Sequence, residues 1–185
     1  MADATAKGRL LVATPLLDDP NFFHAVVWLL EHGDDGALGV VLNRPSDLPV
    51  AEPLPGWADF AGQLPVLFVG GPVAVGSVIG LARVAGEVPD GSWEPVSGSV
   101  GVIDLGADPA IVGPSVGTLR CFAGYAGWSA GQLEDEIAEG AWFVVDAEPA
   151  DLFTDDPAGL WRAVLARQPN ELARLALVPD DPTLN

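Results

Sequence analysis

Ala25-Val26-Val27-Trp28-Leu29-Leu30-Glu31-His32-Gly33-Asp34-Asp35-Gly36-Ala37-Leu38-Gly39-Val40-Val41-Leu42-Asn43-Arg44-Pro45 is the stretch on which the fold turns. Two apolar runs flank Gly33-Asp34-Asp35-Gly36, four residues that tolerate positive φ, and that arrangement spells a β-hairpin. In the first run Val26, Trp28 and Leu30 share one face while Val27 and Leu29 share the other, so the strand is expected to be covered on both sides. Pro45 ends the returning strand. Leu10 to Ala13 reads the same way, apolar without alternation. Working outward, residues 66–69, 78–84, 100–105, 119–123 and 142–145 are further strand candidates between Gly and Pro punctuation. Residues 86–98 read as loop. Prolines 45, 49, 53 and 55 leave room only for short helices before Gln63, where Trp57 and Phe60 can anchor one turn to the core.

Helices are clearest late in the chain. Asp156 with Pro157 makes an N-cap and first helical position, and Leu160, Trp161, Val164 and Leu165 follow as one apolar stripe that Pro169 ends after Gln168. Asn170 is placed to cap a second helix with Leu172, Leu175 and Ala176 inward. Many antiparallel strands with helices toward the end predict an α+β (α/β) fold: one compact domain over residues 1–185, with a mixed or barrel-like β core flanked by helices, two of them near the C-terminus.

The chain has 185 residues, 49% hydrophobic and 18% charged, enough to bury a core without a disulfide or metal staple. Its 26 acidic residues against 8 basic give a formal charge of −18. Lys7 is the only lysine, and the arginines at 9, 44, 83, 120, 162, 167 and 174 do not cluster, apart from the last three. Binding to nucleic acid rests on cations that neutralise phosphates, so direct contact with nucleic acid is not expected. Cys121 stands alone, which excludes an intrachain disulfide and suits a reducing cytoplasm, the expected location. Lys7 and Arg9 before the apolar residues 10–17 imitate the start of a signal peptide, but Pro15 interrupts the run and Asp18 and Asp19 close it. It reads as a buried strand. The other apolar runs fall far short of the roughly 20 residues that span a bilayer, so no membrane partner is expected.

Few constellations carry chemistry. Gly127-Trp128-Ser129-Ala130-Gly131 is a literal G-x-S-x-G before a predicted helix, yet His24 and His32 both precede Ser129, against the order of a nucleophile elbow. Ser129 followed by Gln132 instead spells a capping box. His24 and His32, on one strand, would lie roughly 26 Å apart and could not share a metal. Glu31, His32, Asp34 and Asp35 read as a solvated turn, and no metal site is expected. Gly71 with Gly76-Ser77 lacks the lysine of a phosphate loop. Gly70-Gly71-Pro72 reads as a tight turn, and Cys121 as a small buried hydrophobe. Arg44 should project from a rigid corner, paired with a carboxylate or holding an acidic group of a ligand. No cofactor is expected, and catalytic residues stay unassigned.

Gly8-Arg9-Leu10-Leu11-Val12-Ala13-Thr14-Pro15, Asp19-Pro20-Asn21-Phe22, Glu31-His32, Gly39 to Pro45, Gly70-Gly71-Pro72-Val73, and Gly124 to Trp128 with Gly131 to Glu134 together resemble the YqgE/AlgH family, as does the closing Asp181 to Asn185. The resemblance covers essentially the whole chain in order. It implies a bacterial α/β domain with a barrel-like or mixed-sheet core, and a regulatory association with transcription in a family without a recognised DNA-binding motif. His24 and Ala25 stand where the family commonly carries arginine then Thr or Ser, and Cys121 where an aliphatic residue is common.

These features point to a non-enzymatic regulatory or protein-interaction module that acts on transcription, if at all, indirectly. The alternative is a binder of a small anionic ligand, or an enzyme, using a groove lined by Asn43, Arg44, Gly70, Gly71, Tyr125, Trp128, Gln132 and Glu134. The expected partner is another protein or a small anion. In an electrophoretic assay with duplex DNA at low salt, where phosphate contacts are strongest, the protein gives no shift; salt-dependent retardation at micromolar protein would overturn that expectation.

Overall fold

The structure, a computed structural model, describes residues 5–169 and 171–179. β1 (Leu10–Ala13), β2 (Val26–Gly33) and β3 (Gly36–Val41) form an antiparallel meander, with Asp34-Asp35 as the two-residue turn between Gly33 and Gly36. β4 (Pro45–Pro49) pairs antiparallel with β5 (Val66–Val69), and β6 (Val73–Val84) is followed by the hairpin of β7 (Trp93–Ser97) and β8 (Val100–Ile103). β9 (Val116–Ser129) is the longest strand, and β10 (Trp142–Val145) returns to pair with β1. The order across the sheet is β10-β1-β2-β3-β9-β6-β8-β7, with β5 joining β9 as the parallel pair of an otherwise antiparallel sheet. Among the described residues five short helices decorate it: α1 (Pro109–Val112), α2 (Gln132–Ala138), α3 (Pro149–Leu152), α4 (Leu160–Ala166) and α5 (Leu172–Leu175). The sheet curls into a half-barrel, in keeping with the mixed, barrel-like α+β class read from the sequence.

The non-alternating apolar strands are explained by three packed layers. Leu10, Val12, Trp28 and Val40 face the inside of the curl, where they meet Phe68, Leu81 and Phe122 from the other half of the sheet and Trp161 and Leu165 from α4. Leu11, Val27 and Leu29 face the opposite way, under Leu133 of α2 and Trp142. The outer face of the β6–β9 half is covered by Trp57 of a 3-10 turn over Pro55–Phe60 and by Val112 of α1. Trp57 fixes that cover by donating its indole N–H to Leu105 O at 2.9 Å.

Several expectations shift. Residues 93–97, read as loop, are an edge strand; Pro95 is tolerated because β7 has a partner on one side only. Pro45 and Pro49 likewise begin and end the short edge strand β4. The 78–84 run is the more buried C-terminal part of β6, which starts five residues earlier, and the 119–123 run is a buried stretch inside the longer β9. The proposed Asn170 cap and the closing residues 181–185 lie outside the described residues. Helix α4 begins at Leu160, after a turn in which Asp156 accepts the Gly159 N–H at 3.1 Å.

Gly70-Gly71 is not a tight turn. Gly70 is threaded between two strands: its N–H donates to Ala123 O on β9 and its carbonyl accepts from Val41 at the end of β3, both at 2.8 Å. A Cβ at Gly70 would lie 2.3 Å from Gly124 O, and one at Gly71 2.2 Å from the Tyr125 carbonyl carbon. Gly124, at φ +71°, would place its own Cβ 2.6 Å from Gly71 O. Beyond this crossing β9 leaves β5 and takes β3 as its partner, from Gly39↔Ala126 to Gly36↔Ser129. Gly124→Ala is therefore expected to lower stability by at least about 2 kcal/mol in denaturant unfolding, whereas Gly76→Ala, whose added Cβ meets nothing within 4 Å, should cost less than about 0.5 kcal/mol. Equal costs at the two positions would refute the crossing as the reason for these glycines.

Candidate functional site

The eight residues suggested by the sequence do not share one groove. Gly70, Gly71 and Tyr125 belong to the backbone crossing, with the Tyr125 ring packed against the inner core. Trp128 and Gln132 line a cavity beside α2, Asn43 and Arg44 line a second one near α4, and Glu134 sits apart with His32.

The cavity beside α2 measures about 360 Å³. β9 delivers Trp128 at its end and α2 delivers Gln132, Glu136 and Glu139, while the loop after β1 brings Leu16, Asp18, Asp19 and Phe22 to the opposite wall. Phe22 stacks on Trp128 at 6.4 Å and meets Trp142 edge-on at 5.5 Å. All six tryptophans donate their indole N–H. Those at 28, 57, 93 and 161 donate to backbone carbonyls, but Trp128 and Trp142 both donate to Oε2 of Glu136, at 2.9 and 2.8 Å. Gln132 donates to Oε1 of the same carboxylate at 3.0 Å. Glu136 is thus held by three neutral donors and makes no ion pair among the described residues. The i, i+4 spacing of Gln132 and Glu136 on a helix was the available sequence signal; the convergence of two distant indoles on Glu136 had none.

Ser129 does not cap α2 as expected. Gly131, at φ +77°, is the N-cap residue, and no side chain accepts there. Half of the capping box survives, because Gln132 Oε1 accepts the Ser129 N–H at 3.0 Å, and the Ser129 hydroxyl lies 3.2 Å from the same oxygen. The strand continues through Ser129, so its hydroxyl has no free helical N–H within reach.

His32 Nδ1 accepts the Ala6 N–H at 2.8 Å, which leaves Nε2 as the protonated nitrogen that donates to Glu134 at 2.6 Å. That hydrogen bond holds the Glu134 carboxyl below its ordinary value of 4.5. A carboxylate lowered in the folded state stabilises above its unfolded pKa and loses that contribution as pH falls through the folded one. With 51% of the Glu134 side chain exposed, the contribution is screened and small. Unfolding midpoints of the wild type and Glu134→Gln should differ above the ordinary carboxylate value of 4.5 and converge as pH falls well below it; a gap that persists or grows at the acid end would contradict the pairing.

Among the described residues Arg44 has no acid as an ion-pair partner. Its guanidinium donates to the carbonyls of Phe23 and Asn43, and partial burial lowers its pKa from the usual arginine value. Asn43 is buried and pins the corner, accepting from Val26 N at 3.1 Å and donating to His24 O at 2.8 Å. His24, at φ +53°, precedes β2 rather than lying on it, and its ring is stacked between Phe23 at 4.0 Å and Trp161 at 3.9 Å. Among the described residues no three His, Cys, Asp or Glu side chains gather as metal ligands.

Two groups are held away from water. Cys121 is fully buried and its thiol is pushed up to about 12 by desolvation. Iodoacetamide should leave it unmodified in the native protein and alkylate it in denaturant; prompt native alkylation would mean that β9 opens. Arg120, 4% exposed, rests its guanidinium 4.4 Å from the Phe68 ring centroid and donates to Thr154 O at 2.7 Å, while its Nε has no partner among the described residues. Burial lowers its pKa to about 10, opposed by Asp155. Nothing in the local sequence around Arg120 distinguishes it from a surface arginine.

Among the described residues, no helix is long and apolar enough to cross a membrane. The sequence profile of the family described as AlgH-like (DUF179) matches residues 10–173. A UPF0301 protein of Streptomyces avermitilis is 55% identical, with 98% of this chain and 96% of that protein covered, and one of Streptomyces coelicolor is 54% identical over the same shares. The crystal structure of a Corynebacterium diphtheriae protein superimposes with a TM-score of 0.87 at 33% identity, covering 94% of this chain and 93% of that one. The solution structure of AlgH from Pseudomonas aeruginosa superimposes with a TM-score of 0.73 at 31% identity, covering 98% of both chains. With the curled sheet, the glycine crossing and the Trp128–Glu136 cluster all lying inside the matched span, the chain belongs to the AlgH-like family of UPF0301 proteins.

Proposed function

We propose that this protein is a non-catalytic interaction module that captures a basic segment of a protein partner in the cavity beside α2. The observation that carries the reading is Glu136, a carboxylate fixed by Trp128, Trp142 and Gln132 with no cation beside it among the described residues, in a cavity whose rim adds Asp18, Asp19 and Glu139. Three of a carboxylate's four or so lone-pair sites are occupied, so about one stays open to a donor from outside. A lysine or arginine side chain matches this lining: its aliphatic stem packs on Leu16 and Phe22 while its cationic head meets the carboxylates. The net charge of −18 supports the same partner, since it steers cationic surfaces toward the protein and repels polyanions. An effect on transcription would then pass through the captured protein rather than through DNA.

Two observations support a role without catalysis. The Ser129 hydroxyl is engaged by Gln132, with no histidine among its hydrogen-bond partners, and the Cys121 thiol is buried and far from its thiolate range.

Tryptophan emission monitors the site directly. Titration with a tetra-arginine peptide should change it saturably, and Asp18→Asn with Glu139→Gln should weaken the affinity at least about tenfold, a loss near 1.4 kcal/mol. The charge-matched control Asp104→Asn with Asp108→Asn should weaken it far less. Equal losses in both pairs would reduce the effect to net charge and overturn the site.

A further inference from the structure

We propose that a third cavity, at the open end of the inner curl of the sheet, is a binding site for a free aliphatic α-amino acid of about the size of leucine. It measures about 200 Å³. At about 30 Å³ per water that space equals roughly seven water molecules, enough for an amino acid and too little for a nucleotide or a whole cofactor. Its wall is aliphatic: Leu30 of β2, Leu38 of β3, Ile79 of β6, Val96 of β7 and Val102 of β8. All five belong to the inner core or pack against it, so the cavity continues that core to the surface. Lys7, Glu31 and Glu94 stand around the same space.

The backbone aims these charges. Along β2, Val27 and Leu29 face the outer layer, and strict alternation would send Glu31 the same way. A bulge between Leu29 and Glu31 breaks the alternation and sets Glu31 opposite Leu38, which packs on the inner core. Residues directly opposite on paired strands share a face of the sheet, so Glu31 is turned inward. Glu94 stands opposite Val102 in the same way, on the inner side of β7. Lys7, the only lysine of the chain, is presented by the turn before β1. The Ala6 N–H donates to His32 Nδ1 and the Gly8 N–H to Leu29 O, both at 2.8 Å, while Gly8 O accepts from the Trp28 indole at 2.9 Å. On its other side this turn runs against β7, since a Cβ at Gly8 would lie 3.1 Å from the Ser97 Cβ. Two carboxylates and one ammonium over an aliphatic wall complement a zwitterion with an aliphatic side chain. Its ammonium meets Glu31 and Glu94, its carboxylate meets Lys7, and its side chain packs on the wall. A fatty acid would instead set its anionic head beside two carboxylates, and a polyamine would lay charge along the aliphatic wall.

The site shares no described lining residue with the cavity beside α2, so its test is independent of the function proposed there. L-Leucine, L-leucinamide, 4-methylpentanoate and glycine are titrated into the whole protein and followed by calorimetry and by methyl NMR. Leucine should bind with a Kd below about 1 mM and shift the methyl signals of Leu30, Leu38 and Val102. Leucinamide lacks the carboxylate, 4-methylpentanoate the ammonium and glycine the side chain, so each should bind at least about tenfold more weakly. Lys7→Gln, Glu31→Gln and Glu94→Gln should each weaken leucine at least about fivefold. Their melting temperatures should not change, because all three side chains are exposed. Glu52→Gln, which removes an exposed carboxylate outside the cavity, should leave binding as it is. Lys7→Gln should weaken leucine but not leucinamide, and Glu31→Gln should weaken leucine but not 4-methylpentanoate, which assigns each charge to its group. Leucinamide binding as tightly as leucine would turn the site into one for a peptide amino-terminus, and 4-methylpentanoate doing so would make it one for a simple carboxylic acid. Either result, a leucine Kd above about 1 mM, or an equal loss in Glu52→Gln would overturn the proposal.

Discussion

Everything in this fold hangs on the crossing of Gly70-Gly71 with Gly124, where two backbones pass too close for any Cβ. Only there can β9 exchange partners, from β5 and β6 along its first part to β3 at its end. That exchange turns two sheets into one curled surface. Without it the inner core, which joins Trp28 and Val40 from one half to Phe68, Leu81 and Phe122 from the other, would have no closed interior. The cavity beside α2 follows from the same bend, because β9 emerges with Trp128 pointing to the outer layer beneath the helix.

Charge is distributed against this frame in an uneven way. With so many carboxylates and so few cations, most acids remain solvated, and each arginine placement carries information. Arg9 and Arg167 brace the C-terminal part of the chain by pairing with Asp146, Glu148 and Asp151. Arg120 is accommodated by an aromatic face and a carbonyl, where a delocalised cation is less costly than a compact ammonium. The two cavities differ in their lining: Asp18, Asp19, Glu136 and Glu139 stand around an aromatic wall in one, and Arg44 and Arg162 stand beside a stacked histidine in the other. Both gain rigidity from aromatic packing.

Much of the scaffold was legible. Residues 66–69 and 142–145 are strands as read, and the 25–42 hairpin closes at Asp34-Asp35, because apolar runs bounded by turn residues leave the backbone little choice. The edge strand at 93–97 was not legible: with Glu94 and Pro95 in it, its local propensity argues against a strand, and only pairing with β8 makes one. Ser129 misled for a similar reason. Its spacing to Gln132 is that of a capping box, but the ladder with β3 extends through Ser129 and moves the helix start to Gln132.

The sequence by itself determined the class: a single β-rich domain with both faces of its strands covered, and a formal charge of −18. Those properties depend on composition and on periodicities of two to four residues, which a chain carries locally. Four of the side chains it singled out, Asn43, Arg44, Trp128 and Gln132, line cavities. Only the tertiary structure decided how they are grouped. Trp142 meets Glu136 across a turn, and Trp161 reaches His24 from more than a hundred residues away, by contacts that no local pattern encodes. A groove expected at one place is therefore two cavities, because the curl of the sheet sends the end of β9 and the end of β3 to different surfaces.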